Sequence, residues 1–355
     1  MCLSCRNIYQ HKDNFLKIEN HRTELISGCL NNTPNPLVSI IITVYKRKEY
    51  IHEAIKSAIH QKNISFDYEI IVLCDDPEAK LQEFDTYRNI KNIFIYRNRG
   101  NIGLYNNVNF GVQIARGRYV AFLHDDDILY PEYLSEIKNF LSNRNHEPKC
   151  VLVNRNVTGL LVQQSILKKT VKLLLSVIFS PFFLFRFLFR KPYKKLNLRE
   201  GLTYILSNIY KAPSCGTLFE RKVFLDSGGF NQDFWPVSDY YFFLKFNKDF
   251  PVYMTRKKLA CYRWFDNLSQ NKSVQFMGFE HLSDFFKSEQ PINAVNRYYS
   301  FFHNEILYAK YLMISKEYRN EINDKNPMGN QCNKIKWVIF KLYNLIFRFF
   351  HDIII

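Results

Sequence analysis

Tyr119-Val120-Ala121-Phe122-Leu123-His124-Asp125-Asp126-Asp127 is a run of five apolar residues that ends, after one histidine, in three consecutive acids. The apolar run has the length of a buried strand, and Pro131 with Glu132 is typical of the first turn of a helix. The acids therefore lie on a strand-to-helix loop, where ligands collect in an open α/β sheet. Because adjacent carboxylates repel one another, the loop predicts a site for Mg²⁺ or Mn²⁺, or else a solvated turn.

Strands and helices alternate before this stretch. Apolar runs predict strands over 37–44, 69–73 and 92–96, and apolar residues at helical spacing predict helices over 51–59 and 106–115. This alternation predicts an α/β fold with a mainly parallel sheet flanked by helices.

Polar loops follow three of the predicted strands, at 43–45, 74–76 and 124–127. The carboxyl ends of parallel strands meet at one edge of a sheet, so we expect these loops to form one nucleotide-binding site. Turn formation before Pro77 is the alternative role of Asp75 and Asp76, and Tyr45 is alternatively an ordinary aromatic residue at a strand end.

The second half of the domain begins near Ala212. The pattern predicts strands over 215–219 and 258–263, a short helix over 221–225 and an aromatic helix over 237–245. Asp239 stands at the start of the aromatic helix, where a carboxylate is commonly an N-cap.

Taken together, these segments resemble a family 2 glycosyltransferase with a GT-A fold, of the bacterial cell-surface polysaccharide type. The resemblance is close over 36–145 and looser over 212–270. The residues that carry it are 36–45, 68–76, Asn98, Gly100, Asn101, Gly103, Asn109, Gly111, Ala115, Gly117 and 119–127.

The resemblance implies a reaction and a set of site residues. The implied reaction is an inverting transfer from a nucleotide diphosphate sugar to a hydroxyl of a saccharide or lipid-linked saccharide, with Asp239 as catalytic base. Asp126 and Asp127 are the implied ligands of Mn²⁺ or Mg²⁺. The implied donor-binding residues are Thr43, Tyr45, Asp75, Asn101, Gly103, Asn109 and Asp125.

Three positions depart from the family's pattern. His124 and Cys74 each stand where an aspartate is usual, and Phe265 stands where a metal-binding histidine follows Tyr262 and Arg263. Asp126 is therefore the expected main metal ligand. The missing histidine at Phe265 also leaves open a module at the membrane surface that binds the nucleotide sugar without turnover.

Changes in composition divide the chain. We expect an N-terminal extension over 1–35, a GT-A domain over 36–270 that contains an apolar-basic insertion at 155–200, a helical extension and linker over 271–333, and an amphipathic helix over 334–355. The donor half of the domain is 36–145 and the acceptor half is 212–270.

The net charge of +16 is concentrated in two basic-aromatic segments. The insertion contains thirteen uncharged residues at 173–185, too few to span a bilayer, and Lys334, Lys341 and Arg348 recur every seven residues near the C-terminus. We expect both segments to lie on the inner face of the membrane, with a buried hairpin and a partner-binding helix as the respective alternatives. Binding to generic nucleic acid is the competing interpretation of the charge, and we expect no nucleic-acid partner.

The cysteines and the N-terminus indicate a cytoplasmic protein. Cys74, Cys150 and Cys261 lie in or beside strand-like runs, as small buried residues do in a reducing compartment. A polar stretch follows Met1, so we expect no signal peptide.

Overall fold

The computed structural model describes residues 14–28, 35–46, 49–142, 148–158, 193–196 and 214–263, with short pieces between 271 and 281. The chain forms two compact units, and the unit made of Asn7–Gly159 and Pro192–Trp264 contains the whole sheet described below. The other unit comprises Met1–Arg6, Leu160–Lys191 and Phe265–Ile355. The predicted membrane segments at 173–185 and 334–355 lie outside the described residues, as does Phe265.

A mixed sheet is built from the ten strands of the described residues. Its order is β1-β4-β3-β2-β5-β9-β7-β10-β6, and β8 pairs with β10. The strands are β1 Thr23–Ser27, β2 Val38–Val44, β3 Tyr68–Cys74, β4 Ile93–Asn98, β5 Tyr119–His124, β6 Ile128–Leu129, β7 Cys150–Thr158, β8 Tyr193–Leu196, β9 Leu218–Glu220 and β10 Val252–Arg263.

Five α-helices accompany these strands among the described residues of the sheet-bearing unit. They are α1 Ile51–Ile59, α2 Leu104–Ile114, α3 Tyr133–Ser142, α4 Arg221–Asp226 and α5 Ser238–Asp249. The predicted mainly parallel α/β fold is confirmed over the first half of the domain, because β4, β3, β2 and β5 are neighbours in parallel register.

The centre of the sheet is buried on both faces. Every residue of β2 is buried, and successive residues such as Ile40 and Ile41 point to opposite faces of the sheet. Strands covered on both faces have near-continuous apolar sequences, which is why the runs at 37–44 and 69–73 were readable from the sequence.

Several strands differ from the sequence predictions. No strand was predicted over β6 or β7, and β9 begins at Leu218 instead of residue 215. The predicted extension contains β1, which pairs antiparallel with β4, and the predicted insertion contains β8, which pairs antiparallel with β10. Both lie at the periphery of the sheet, and β1 is mostly half-exposed, so neither segment needs a continuous apolar run. The predicted strand at 258–263 is the second half of β10, which begins at Val252 and changes register on β7 between Met254 and Ala260.

Candidate active site

The three polar loops meet at one edge of the sheet, as predicted. The Asp75 N–H donates to the Val44 carbonyl at 2.8 Å, which joins the ends of β3 and β2. The Tyr45 N–H donates to Asp125 Oδ2 at 3.4 Å, and Thr43 Oγ1 lies 3.5 Å from His124 Nδ1. The ends of β2, β3 and β5 therefore contribute to one site.

Asp75 organises the loop that precedes α2. Its Oδ1 accepts hydrogen bonds from Asn98 Nδ2 at 2.8 Å and from the Ile102 N–H at 3.0 Å, and its Oδ2 accepts one from the Gly103 N–H at 3.0 Å. Burial raises the pKa of this carboxyl, and the same three donors act in the opposite direction. Asp75 thus does more than form a turn before Pro77, since it fixes the shape of residues 101–103.

The acidic loop is not a solvated turn. Asp126 and Asp127 are both buried, and the Arg263 N–H donates to Asp127 Oδ1 at 3.0 Å. Asp127 Oδ2 is buried and, within the described residues, has no hydrogen-bond partner. Burial, followed by the neighbouring charge of Asp126, holds the pKa of Asp127 well above its usual range.

The acidic loop fits a hard divalent cation bound through few protein ligands. The buried Asp127 Oδ2, an unsatisfied hydrogen-bond acceptor beside the Asp126 charge, is the kind of oxygen ligand that such a cation binds. Within the described part of the chain, the acidic loop included, no group of three or more His, Cys, Asp or Glu side chains is arranged to hold a metal ion. Water or diphosphate oxygens would therefore complete the coordination.

His124 joins two segments at the position where an acid is usual in the family it resembles. Its Nε2 lies 2.7 Å from Ser214 Oγ, and its Nδ1 faces Thr43. The imidazole therefore bridges β2 to the chain that leads into β9.

Asp239 is held by another helix instead of acting as an N-cap. The N-cap of α5 is Val237, and no side chain caps it. Asp239 Oδ1 accepts hydrogen bonds from the Tyr105 hydroxyl at 3.1 Å and from the Tyr240 N–H at 3.0 Å. Burial raises the pKa of Asp239 to about 6, although both hydrogen bonds lower it. A carboxyl with such a pKa is suited to general-base chemistry near neutral pH.

A single buried guanidinium relates Asp239 to the acidic loop. Arg155 lies on β7 with its guanidinium 6.0 Å from the centre of the Tyr262 ring. Its positive charge acts to lower the pKa of both Asp127 and Asp239, against the larger effect of burial. Both carboxyls are therefore within electrostatic reach of the same side chain.

Three predicted donor-binding residues have structural partners of their own. Asn109 is buried, with its amide donating to the Phe230 carbonyl at 2.7 Å and accepting from the Phe230 N–H at 2.9 Å. Asn101 Oδ1 accepts from the Gly103 N–H at 2.9 Å, and Gly103 has a φ of 85°. These contacts favour a structural role for Asn109 and Gly103, while exposed Asn101 stays a predicted ligand contact.

Sequence reasoning missed Tyr105, Arg155 and Gln232. The Gln232 side-chain oxygen accepts hydrogen bonds from the N–H groups of Tyr105 and Asn106, at 2.9 and 3.4 Å, and so caps the start of α2. A tyrosine within an apolar helical pattern resembles a core residue, and an arginine on a strand resembles a surface residue. No local sequence signal distinguishes Tyr105 from an ordinary core residue or Arg155 from an ordinary surface residue.

Comparison with known proteins relates this geometry to a family. Residues 39–211 match the model of "Glycosyl transferase family 2". An uncharacterized glycosyltransferase of Rickettsia typhi is 38% identical over 119 residues, which are 32% of this chain and 36% of that protein. Staphylococcus aureus TarP, named a poly(ribitol-phosphate) beta-N-acetylglucosaminyltransferase, is 26% identical over 114 residues, which are 31% of this chain and 34% of that protein. The match thus spans about a third of these curated relatives.

Two solved structures share the fold. S. aureus TarS in complex with UDP-GlcNAc has a TM-score of 0.54 at 16% identity, over 87% of this chain and 80% of that chain. The mannosyltransferase PcManGT from Pyrobaculum calidifontis, in complex with GDP-Man and Mn²⁺, has a TM-score of 0.51 at 10% identity, over 97% and 92%. The sheet and its flanking helices therefore have the fold of these two structures, which confirms the predicted GT-A fold.

Proposed function

Residues 39–211 of this chain belong to glycosyl transferase family 2, and on this premise we propose that the protein is an inverting glycosyltransferase of cell-surface polysaccharide synthesis. Its donor would be a nucleotide diphosphate sugar and its acceptor a hydroxyl of a saccharide or lipid-linked saccharide. The relative TarP, by its name, transfers N-acetylglucosamine to poly(ribitol-phosphate), and the fold neighbours are in complex with UDP-GlcNAc or GDP-Man, which supports this class of substrates.

The proposal rests mainly on the burial and the raised pKa of Asp239. Its carboxyl is buried with a pKa raised to about 6 by that burial, and it shares the Arg155 charge with the acidic loop. A raised pKa brings no advantage to a carboxylate that only forms a turn or caps a helix, whereas it suits a general base that works near neutral pH.

In the proposed reaction, the acceptor hydroxyl oxygen attacks the anomeric carbon as the bond from that carbon to the diphosphate oxygen breaks. The electron pair of the broken bond stays on the diphosphate, and the proton of the hydroxyl passes to Asp239. The transition state has oxocarbenium character. Asp239 must be ionised to accept the proton, so we expect the transfer rate to fall as the pH drops through about 6.

Asp126, with Asp125 or Asp127, would hold Mn²⁺ or Mg²⁺, which supplies positive charge opposite the departing diphosphate when bound. Thr43, Tyr45 and Asn101 are the proposed donor contacts, and Asp75 shapes the loop beside them.

The proposal is tested by a screen of nucleotide sugars by thermal shift, with and without Mn²⁺, followed by a transfer assay with the donor that binds. Asp239→Asn should abolish transfer, by about 10³-fold or more, and leave donor affinity nearly intact. Wild-type transfer by this variant would contradict the assignment of the base.

The metal site has its own test in the same assay. Asp126→Ala should weaken Mn²⁺-dependent donor binding by about 10-fold or more, since it removes a charged ligand. Asp226→Ala is the matched control, because this carboxylate is exposed on α4 and pairs only with Lys222 among the described contacts. Unchanged metal dependence in Asp126→Ala would show that the ligand lies elsewhere.

A binding module without turnover is the second candidate, and the departure at His124 is the observation that favours it. Its imidazole is engaged by Ser214 and Thr43 where a carboxylate is usual in the family. Normal donor binding without transfer or donor hydrolysis would support the module over the enzyme.

We also propose peripheral association with the inner face of the cell membrane, on the charge pattern of the two basic-aromatic segments. None of the helices in the described part of the chain combines the length and apolar character needed to cross a membrane.

A further inference from the structure

The main chain at the start of α2 is held from two sides, by Asp75 and by Gln232. On one side Asp75 binds the N–H groups of Ile102 and Gly103. On the other side Gln232 binds the N–H groups of Tyr105 and Asn106. Of the five main-chain N–H groups from 102 to 106, four are thus tied either to Asp75 or to Gln232 in the segment before Asp239. We call residues 99–102 the donor loop, because they include the proposed donor contact Asn101.

Gly103 makes this arrangement possible. Its φ of 85° belongs to the region that favours glycine, and a Cβ added there would lie 2.7 Å from the Gln232 side chain. The chain can therefore turn sharply between the donor loop and α2 while Gln232 closes over the turn.

Tyr105 extends the connection to Asp239. Its ring is buried against Phe230, with ring centres 5.4 Å apart, so the position of the hydroxyl is fixed by packing. The hydroxyl oxygen lies 2.7 Å from the Pro236 carbonyl oxygen and 3.1 Å from Asp239 Oδ1.

We infer that Tyr105 is a positioning residue for the catalytic base. Through it, residues 102–105 couple the donor loop to Asp239. This inference rests on the proposed function, in which Asp239 is the base. Tyr105 itself does not touch the reacting atoms.

The chemistry follows from the single proton of the hydroxyl. While Asp239 is ionised, the hydroxyl donates that proton to it. Because Oδ1 already accepts from Tyr105 and from the Tyr240 N–H, the acceptor's proton goes to Oδ2. The Tyr105 hydroxyl can then keep its bond to Oδ1 or turn its proton to the Pro236 carbonyl, 2.7 Å away, with no movement of the ring.

Four groups act on the Asp239 carboxyl. Tyr105 comes from α2, the N–H groups of Tyr240 and of Asp239 itself from α5, and the Arg155 charge from β7. All four favour the ionised base against its burial, and Tyr105 has the largest effect of them. When the hydroxyl is removed, less counteracts the effect of burial on the pKa of Asp239, so this carboxyl should titrate at higher pH.

The test is Tyr105→Phe in the full chain, with the Asp239 side-chain carboxyl followed by ¹³C NMR titration and identified by its loss in Asp239→Asn. We expect the midpoint of Asp239 to rise by about one pH unit, as loss of a hydrogen bond to a charged group predicts. In the transfer assay the acidic limb should move by the same amount, and kcat should fall about 10-fold with donor KM unchanged.

Tyr68→Phe is the matched control, because its hydroxyl also donates to a carbonyl, that of Ile59 at 3.2 Å, at the amino end of β3. This variant should leave the Asp239 midpoint unchanged. The titration needs no turnover, so it separates the two claims. An unshifted midpoint in Tyr105→Phe overturns the inference even if transfer is observed, and a shifted midpoint supports the role of Tyr105 even if the substrate class is wrong.

The coupling has a second test at Gln232. Gln232→Met removes the acceptor for two N–H groups, whereas Gln232→Glu retains an acceptor at a helix N-terminus. The Met variant should lower kcat about 5-fold at unchanged donor affinity, and the Glu variant should restore it. Equal kcat values in both variants and the wild type would overturn the coupling.

Discussion

At the scale of single residues, the site depends on carboxyl groups that the fold keeps away from water. Asp127 and Asp239 are both buried, and burial is the main reason that the pKa of each is raised. Burying an ionised carboxylate disfavours folding, so the proposed chemistry reduces the stability of the protein.

This cost predicts a pH-dependent gain in stability for Asp239→Asn. The folded-state pKa of Asp239 is about 6 against an ordinary value of 3.8, so the folded chain binds the proton more tightly than the unfolded chain. The penalty is absent below about pH 4, grows as the pH rises, and is complete above about pH 6. Asparagine avoids it, which predicts a gain of up to ~3 kcal/mol at pH 7 and none at pH 4.

Urea unfolding at pH 4 and pH 7 measures the difference. Asp226→Asn serves as the control, since its carboxylate is exposed and pairs with Lys222 on the surface. A gain for Asp239→Asn that is equal at both pH values would mean that charge burial is not its cause.

At the scale of elements, α2 relates the donor loop to the rest of the site. Its N-terminus carries the contacts to Asp75 and Gln232, and its middle packs on the sheet through Gly111. A Cβ at Gly111 would lie 2.6 Å from Leu73 Cδ1 and 2.7 Å from Ile41 Cγ2. The helix can approach β2 and β3 this closely only because residue 111 has no side chain.

Gly111→Ala should therefore destabilise the protein, by about 1–3 kcal/mol, because the added methyl overpacks a buried contact. It should also lower donor affinity, since α2 would move away from the sheet that carries Asp75. Gly100→Ala is the control, because an added Cβ there meets no atom within 4 Å. Thermal unfolding and donor binding of the two variants give the comparison, and equal stability would show that α2 tolerates the displacement.

The helix that carries Asp239 is fixed by aromatic packing. Phe242 of α5 lies 4.6 Å from Phe224, 5.1 Å from Phe230 and 5.6 Å from Phe219, between ring centres. These rings come from α4, β9 and the turn before α5, so the orientation of Asp239 depends on several segments packing together.

At the scale of the whole molecule, the sheet assembles segments that are far apart in sequence. β1 comes from the predicted extension, and near it the Asn14 amide donates to the Gly228 carbonyl at 2.8 Å. Asn14 therefore contacts the turn that precedes the segment leading to Asp239. The predicted domain boundaries stay predictions, but this contact and the pairing of β1 with β4 argue that 14–28 belongs with the sheet-bearing unit.

The charge pattern of the C-terminal segment predicts membrane binding. Reversing Lys334, Lys341 and Arg348 to Glu together should lower the affinity for anionic phosphatidylglycerol vesicles by on the order of 100-fold or more, since each basic residue contributes about 1 kcal/mol. The charge-conserving changes Lys334→Arg, Lys341→Arg and Arg348→Lys should leave binding intact. Vesicle flotation at low and high salt measures both, and equal flotation of the two variants would assign any attachment to another segment.

The sequence by itself determined the parallel centre of the fold and the position of the acidic loop. Buried parallel strands need continuous apolar runs, and carboxylates at their ends are visible without any knowledge of packing. The same reasoning predicted that Cys74, Cys150 and Cys261 are buried, which the structure confirms.

Only the tertiary structure decided what Asp239 contacts. Tyr105 and Asp239 are 134 positions apart, and the partners of Asp127 include the main chain of Arg263, 136 positions away. Local patterns report propensity and periodicity, whereas a pKa depends on burial and on the groups that packing brings within a few ångströms. The resemblance therefore named Asp239 as the proposed base, but its partner Tyr105 and its exclusion from water became visible only when α2, β7 and α5 were packed together.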